Sequence, residues 1–239
     1  MNQLANKGID NQDRLIFALD VPTSADAKKL VEELDSSVSF YKIGLQLFMT
    51  GDYFELSQWL RDRGKKVFVD LKFFDVPATV GRAVKQLGKL GATFATVHGN
   101  NSILEAAAEN KGDVKILAVT VLTSLDRGDL DDLGFECQVE DLVYSRAKRA
   151  LELGCDGVVS SGLEAARLRS GLGEKLLIVS PGIRPVENRE ADDQKRVVTV
   201  PQAFENDADY IVVGRPIRDA EDPRASAEKI QSQIQEVFS

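Results

Sequence analysis

Two carboxylates and an ammonium stand close together in Asp70-Leu71-Lys72-Phe73-Phe74-Asp75, directly after the apolar run Val67-Phe68-Val69. Such a set can hold a proton, deliver it, or stabilise charge that develops on a bound molecule. Side chains alternate along an extended strand, so Asp70 and Lys72 are expected on the same face. Asp75 falls where the chain must leave the strand, and Pro77 suits the first turn of a following helix. An isolated motif of this kind reads most simply as a surface ion pair followed by an Asp N-cap. The alternative, a preorganised acid–base group, depends on what else shares that end of the molecule.

Other chemistries have little to work with. His98 is the single histidine, and Cys137 and Cys155 are the only cysteines, so neither a disulfide framework nor a C-x-x-C metal or redox spacing is present. No metal site is expected. His98 lacks an obvious carboxylate partner in sequence and is assigned a structural role, while Cys155 reads as a small buried hydrophobe entering a strand. A formal charge of −8 without a basic cluster argues against a nucleic-acid partner. No apolar run approaches the roughly 20 residues needed to cross a bilayer. The polar stretch 1–13 lacks the apolar core of a signal peptide, which points to a cytoplasmic protein.

The elements that must position the charged residues follow from a repeating pattern. Short apolar runs at Leu15–Leu19, Phe40–Ile43, Val67–Asp70, Phe94–Val97, Val114–Val119, Gly157–Ser160, Leu176–Val179 and Tyr210–Val213 alternate with amphipathic segments. Continuous apolar runs of this length fit parallel strands buried on both faces. Gly64, Gly91, Gly112 and Gly154 each stand between a helical segment and the next strand, where a left-handed C-cap is wanted, and Asp207 occupies the equivalent place before the eighth strand. Eight βα units in 239 residues, with no linker, predict a single (β/α)8 barrel domain over 1–239, with 1–13 as a polar N-terminal extension. An open doubly wound sheet is disfavoured because no G-x-G-x-x-G follows the first strand.

Barrels carry function at the carboxyl ends of their strands. Those ends hold Asp20, Lys42, Asp70 with Lys72, His98, Thr123, Ser161, Arg184 and Arg215. Alternating acids and bases on one rim are costly to leave unpaired, which favours a network over scattered surface charges. The loops after the seventh and eighth strands of barrels often bind phosphate. Here they supply Gly182, Arg184, Gln194, Gly214 and Arg215, where Gly214 allows close backbone approach and Arg215 offers a bidentate fork.

In its motifs the chain resembles the bacterial orotidine 5′-phosphate decarboxylases over almost its whole length. The resemblance rests on Ala18-Leu19-Asp20, Tyr41-Lys42-Ile43-Gly44, Asp70-Leu71-Lys72-Phe73-Phe74-Asp75-Val76-Pro77 and Ala118-Val119-Thr120-Val121-Leu122-Thr123-Ser124. It continues in Pro181-Gly182-Ile183-Arg184-Pro185, Asp193-Gln194-Lys195-Arg196 and Val213-Gly214-Arg215-Pro216-Ile217. It implies conversion of orotidine 5′-phosphate to UMP and CO2 in pyrimidine nucleotide synthesis, with neither metal nor organic cofactor. By the resemblance Lys72 protonates C6, held protonated by its flanking carboxylates, and Asp70 lies beside the substrate carboxylate. Asp75 and Thr79 enter the partner's site across a homodimer interface. Asp20 and Lys42 bind the ribose region, Thr123 contacts the pyrimidine, and Arg184, Gln194, Gly214 and Arg215 enclose the phosphate. The Pro181–Gln194 loop is the candidate lid. Two departures, Asp207 and the Val200-Pro201 wording, touch only local helix geometry. A related barrel sugar-phosphate decarboxylase that uses Mg²⁺, and a non-catalytic phosphate-binding barrel, are the alternatives.

Overall fold

A computed structural model describes residues 7–184 and 197–239. Eight parallel strands close into a barrel in sequence order: β1 Leu15–Ala18, β2 Phe40–Gly44, β3 Lys66–Phe73, β4 Phe94–Val97, β5 Lys115–Val119, β6 Gly157–Val159, β7 Leu177–Ser180 and β8 Tyr210–Val213. The principal helices between and after them are α1 Ser24–Leu34, α2 Tyr53–Asp62, α3 Pro77–Lys89, α4 Asn101–Asn110, α5 Val139–Glu152, α6 Ala165–Leu172, α7 Val200–Glu205 and α8 Pro223–Val237. The (β/α)8 barrel expected from the repeat is the fold observed.

Strand alternation splits the apolar residues into two cores. Outward positions such as Phe17, Tyr41, Val67 and Val69 pack under the helices, while Ile16, Phe40, Phe68, Phe94, Leu117, Val179 and Tyr210 fill the barrel. Inside, the Phe94 ring packs on Phe40, Phe68 and Tyr210 at centroid distances of 5.0, 5.8 and 5.1 Å. This aromatic plug is a solid floor, and the next inward residue on each strand stands on top of it. Two residues beyond Ala18, Phe40, Phe68 and Phe94 come Asp20, Lys42, Asp70 and Thr96. Gly157 makes room for the plug, since a Cβ there would stand 2.4 Å from the Leu177 carbonyl oxygen.

The left-handed residues expected before the strands are present: Gly64, Gly91, Gly112 and Gly154 have positive φ, and Asp207 adopts φ 66° without being glycine. The one large boundary difference is β3, which runs to Phe73 rather than ending at Asp70. Asp70 and Lys72 interrupt the apolar run there, but Leu71 and Phe73 still pack on the outer core and Phe73 pairs with Val97 of β4.

Residues 7–13 do not trail away as the polar extension that composition suggests. Ile9 packs against the inner core from below, and the Lys7 ammonium donates to Asp209 Oδ2 at 2.9 Å. The same oxygen accepts from Arg169 Nη2 and from the Ile178 amide, both at 2.8 Å, and Asp209 is buried. At this end of a barrel such a network serves stability. Asp209→Ala would take from buried Arg169 and half-buried Lys7 their nearest carboxylate, and is expected to cost about 3 kcal/mol and lower Tm by roughly 6–12 °C. Thermal unfolding reads the loss; a variant melting within 2 °C of the parent, roughly the shift of 1 kcal/mol, would remove this cluster from the stability of the floor.

Candidate active site

The charged residues of the upper rim form one connected chain. Asp20 Oδ1 lies 3.3 Å from Lys42 Nζ, Lys42 Nζ lies 3.3 Å from Asp70 Oδ2, and Lys72 Nζ lies 2.9 Å from Asp70 Oδ1. Neighbouring strands set these distances, because β1, β2 and β3 pair Ala18 with Lys42 and Gly44 with Asp70. Gly44 borders the network: a Cβ there would stand in ordinary contact, 3.6 Å from both Asp20 Oδ1 and Lys42 Nζ.

Burial and charge oppose each other here, and charge prevails. Burial alone would raise the Asp70 carboxyl, yet Lys42, then Lys72 and the hydrogen bonds from Lys72 and Thr96, bring it below the usual carboxylate range. Lys42 is the mirror case: burial disfavours its charge, while Asp70 and Asp20 hold it above the ordinary lysine value. Both are therefore ionised at neutral pH, and an ordered ion pair in a low-dielectric setting stands ready beside whatever binds.

Lys72 reaches its place through unusual backbone. Leu71 and Phe73 pack outward and Asp70 and Lys72 line the cavity, so the expected alternation holds. The backbone at Lys72, however, leaves the extended region for φ 47°. For a residue with a Cβ this costs about 1–2 kcal/mol, the kind of strain found where a side chain is aimed for function. The register against β4 shifts at the same place, between Val69 and Phe73. Thr96, buried on β4, spans the irregularity: its hydroxyl accepts the Lys72 N–H at 2.9 Å and donates to Asp70 Oδ1 at 2.9 Å. Sequence reading passed over Thr96 as strand interior, and the inward alternation from Phe94 was the available signal.

A cavity of about 370 Å³ opens above these residues, in the size range of small-molecule sites. Asp20, Lys42, Asp70, Lys72, Thr123, Arg184, Gly214 and Arg215 all line it. Arg184 is buried, and its Nη1 donates to the Ile183 carbonyl at 2.9 Å. A Cβ at Gly214 would meet Ala18 Cβ at 3.4 Å, at the limit of ordinary contact. Arg218 lines the cavity too, although no motif singled it out; it donates to the Asp20 carbonyl at 2.9 Å and grips Asp219 with two nitrogens. The cavity thus has an acid–base wall on β1 to β3 and an arginine-bearing wall on β7 and β8. Gln194, and most of the Pro181–Gln194 segment expected as a lid, lie outside the described residues.

Asp75 and Thr79 do not line this cavity. Asp75 is exposed and accepts from the Val76 amide at 2.6 Å, while Thr79 accepts from Arg82 at 3.3 Å on the first turns of α3. Val76, not Asp75, is the N-cap of that helix, so the simple capping role does not account for Asp75. His98 stands edge-on to Phe74 at 5.5 Å. Burial first, then Arg146 and Lys72, push its imidazole below the ordinary value and leave it neutral at pH 7. Among the described residues no cluster of three His, Cys, Asp or Glu side chains suits a metal ion, and no helix is long and apolar enough to cross a membrane.

Comparison with known proteins shows the family. The model of the orotidine 5′-phosphate decarboxylase / HUMPS family matches residues 13–230. The orotidine 5′-phosphate decarboxylase of Methylococcus capsulatus is 67% identical over 238 residues, covering 100% of this chain and 98% of its own. That of Nitrobacter winogradskyi is 52% identical, covering 92% of this chain and 91% of its own. The crystal structure of orotidine 5′-phosphate decarboxylase from Lactobacillus acidophilus superposes with a TM-score of 0.81 at 35% identity, covering 93% of this chain and 99% of that one. The match spans every strand and both walls of the cavity, and on that extent the chain belongs to the orotidine 5′-phosphate decarboxylase / HUMPS family.

Proposed function

We propose that this protein decarboxylates orotidine 5′-phosphate to UMP and CO2, the closing step of pyrimidine nucleotide synthesis, with its own side chains supplying the chemistry. The observation that carries this reading is the Lys72 ammonium held 2.9 Å from a buried, ionised Asp70 at the bottom of a cavity whose far wall bears arginines. Relatives 67% and 52% identical to this chain bear the name of that activity, and the chain covers 98% and 91% of their length.

The chemistry follows from charge. When the bond from C6 to the carboxyl carbon breaks, its electron pair stays in an sp² orbital at C6 with no conjugated sink, and CO2 departs neutral. An ammonium fixed beside C6 stabilises that pair and then gives it a proton. Asp70, itself paired with Lys42, holds Lys72 where the pair develops and needs no reorganisation during the reaction. Lys72 regains its proton from solvent, to which its side chain is 34% exposed. Asp20 and Lys42 bind the ribose region and Thr123 the base. Arg184, Gln194, Gly214 and Arg215 surround the phosphate.

Phosphate lies far from C6, so its binding energy serves orientation and loop closure. Arg215→Ala removes a charge-assisted fork and is expected to raise KM by about 10- to 100-fold with the fold intact. Initial rates over a range of substrate concentration check this; an unaltered KM takes Arg215 out of the phosphate site.

A homodimer with shared sites belongs to the same proposal. Phe48, Met49, Phe54, Phe74 and Val76 are exposed on the segments after β2 and β3, beside the cavity rim. Exposed apolar side chains grouped in this way suit a subunit interface. It would carry Asp75 and Thr79 to a neighbouring cavity. We assign the protein to the cytoplasm.

Disappearance of orotidine 5′-phosphate, followed by absorbance with and without EDTA, tests the function. Turnover that survives EDTA supports the proposal. Turnover lost to EDTA favours a metal-dependent sugar-phosphate type of chemistry, and nucleotide binding without turnover makes the protein a sensor.

A further inference from the structure

Thr96 has no part in the mechanism above, yet it bonds to both members of the Asp70–Lys72 pair. Its place in the fold explains why. Between Val69 and Phe73 strand β3 advances four residues, while β4 advances only two, from Ala95 to Val97. The Lys72 amide therefore loses a regular ladder partner and meets the Thr96 hydroxyl at 2.9 Å instead. A backbone N–H can only donate, and a carboxylate can only accept. The hydroxyl must then take the first bond and give its proton in the second, to Asp70 Oδ1 at 2.9 Å. Asp70 Oδ1 is the same oxygen that faces Lys72 Nζ. One buried hydroxyl thus ties the left-handed backbone of Lys72 to the carboxylate that holds the Lys72 side chain.

Building on the decarboxylase reading, we propose that Thr96 is a positioning residue, setting where the Lys72 ammonium stands by joining the Lys72 amide to the Asp70 carboxylate. A threonine here that served only to fill space between the aromatic plug and the cavity would be replaced best by valine, which has nearly the same shape. A hydroxyl that positions the pair is replaced best by serine. The two roles therefore rank the variants in opposite order.

The experiment compares Thr96→Val and Thr96→Ser in the full-length protein. Loss of one hydrogen bond to a charged group corresponds to about a 10- to 100-fold fall in kcat for Thr96→Val. KM should stay within about threefold, because the phosphate and ribose contacts are untouched. Without the hydroxyl's proton the Asp70 carboxylate loses a partner, so the acidic limb of the kcat profile should move to higher pH. Thr96→Ser should keep kcat within about threefold of the parent while melting at a lower temperature for its lost methyl. Amide hydrogen exchange at Lys72 should accelerate in Thr96→Val and not in Thr96→Ser.

Parent-like kcat in Thr96→Val, or equal losses in the serine and valine variants, would overturn the proposal. Should the valine protein not be recovered folded, Thr96→Ala carries the same comparison. If the parent itself does not consume orotidine 5′-phosphate, the functional reading fails. Lys72 exchange then decides Thr96 by itself, and unchanged protection in the valine variant rejects it.

Discussion

Lys72→Ala should lower kcat for orotidine 5′-phosphate by at least about 10⁴-fold, since it removes both the proton donor and the cation that faces the developing electron pair. Binding of UMP should remain close to that of the parent, because the product has no carboxylate at C6 and its phosphate meets the opposite wall. The fold should survive as well. Asp70 keeps Lys42 at 3.3 Å and the Thr96 hydroxyl at 2.9 Å, so the buried carboxylate is not left bare. The Lys72 side chain is 34% exposed, and its loss should cost only about 1 kcal/mol of stability. Stopped assays with a large enzyme excess, a UMP titration and a thermal melt read the three effects separately. Turnover within tenfold of the parent would sink the assignment of Lys72 as the acid, since an acid catalyst contributes about 10²-fold or more.

That the pair of Asp70 and Lys72 was visible from sequence has a physical reason. A buried strand announces itself by continuous apolar residues, and charges that interrupt such a run stand out against it. Asp20, Lys42, Arg184 and Arg215 were visible for the same reason at the ends of β1, β2, β7 and β8, and all four line the cavity with Lys72. The left-handed C-caps were legible because glycine marks them, with Asp207 as the exception that still adopts φ 66°.

What stayed hidden depends on atoms that no run or spacing reports. The positive φ of Lys72 sits in a sequence that reads as ordinary strand, and only the register shift against β4 exposes it. Thr96 is one small polar residue in Phe94-Ala95-Thr96-Val97, where a β-branched side chain is already suited to the strand. Arg218 lies one turn past Arg215, where a helix surface arginine is commonplace. Its bonds to the Asp20 carbonyl and to Asp219 bring it to the cavity. Residues 7–13 look like a polar tail because their anchoring comes from Asp209, some two hundred positions away.

Mixing Lys72→Ala protein with Asp75→Ala protein should restore activity that neither has alone. Asp75 is exposed, accepts a hydrogen bond from the neighbouring Val76 amide, and lies outside the lining of its own cavity. In the proposed dimer it acts in the partner's site, so each site draws Lys72 from one chain and Asp75 from the other. A mixed dimer then holds one site with both substitutions and one site with neither. After full exchange at equal concentrations half the dimers are mixed, and about a quarter of the parental activity should return by the symmetry of a twofold interface. Were Asp75 to serve its own barrel, each site of a mixed dimer would lack one of the two residues, and no activity would appear. Brief incubation in mild denaturant followed by dilution drives the exchange, and native mass spectrometry of one isotopically labelled variant verifies it. Verified exchange with activity still at the level of the separate variants would return Asp75 to its own subunit and leave the apolar rim of Phe74 and Val76 without this role.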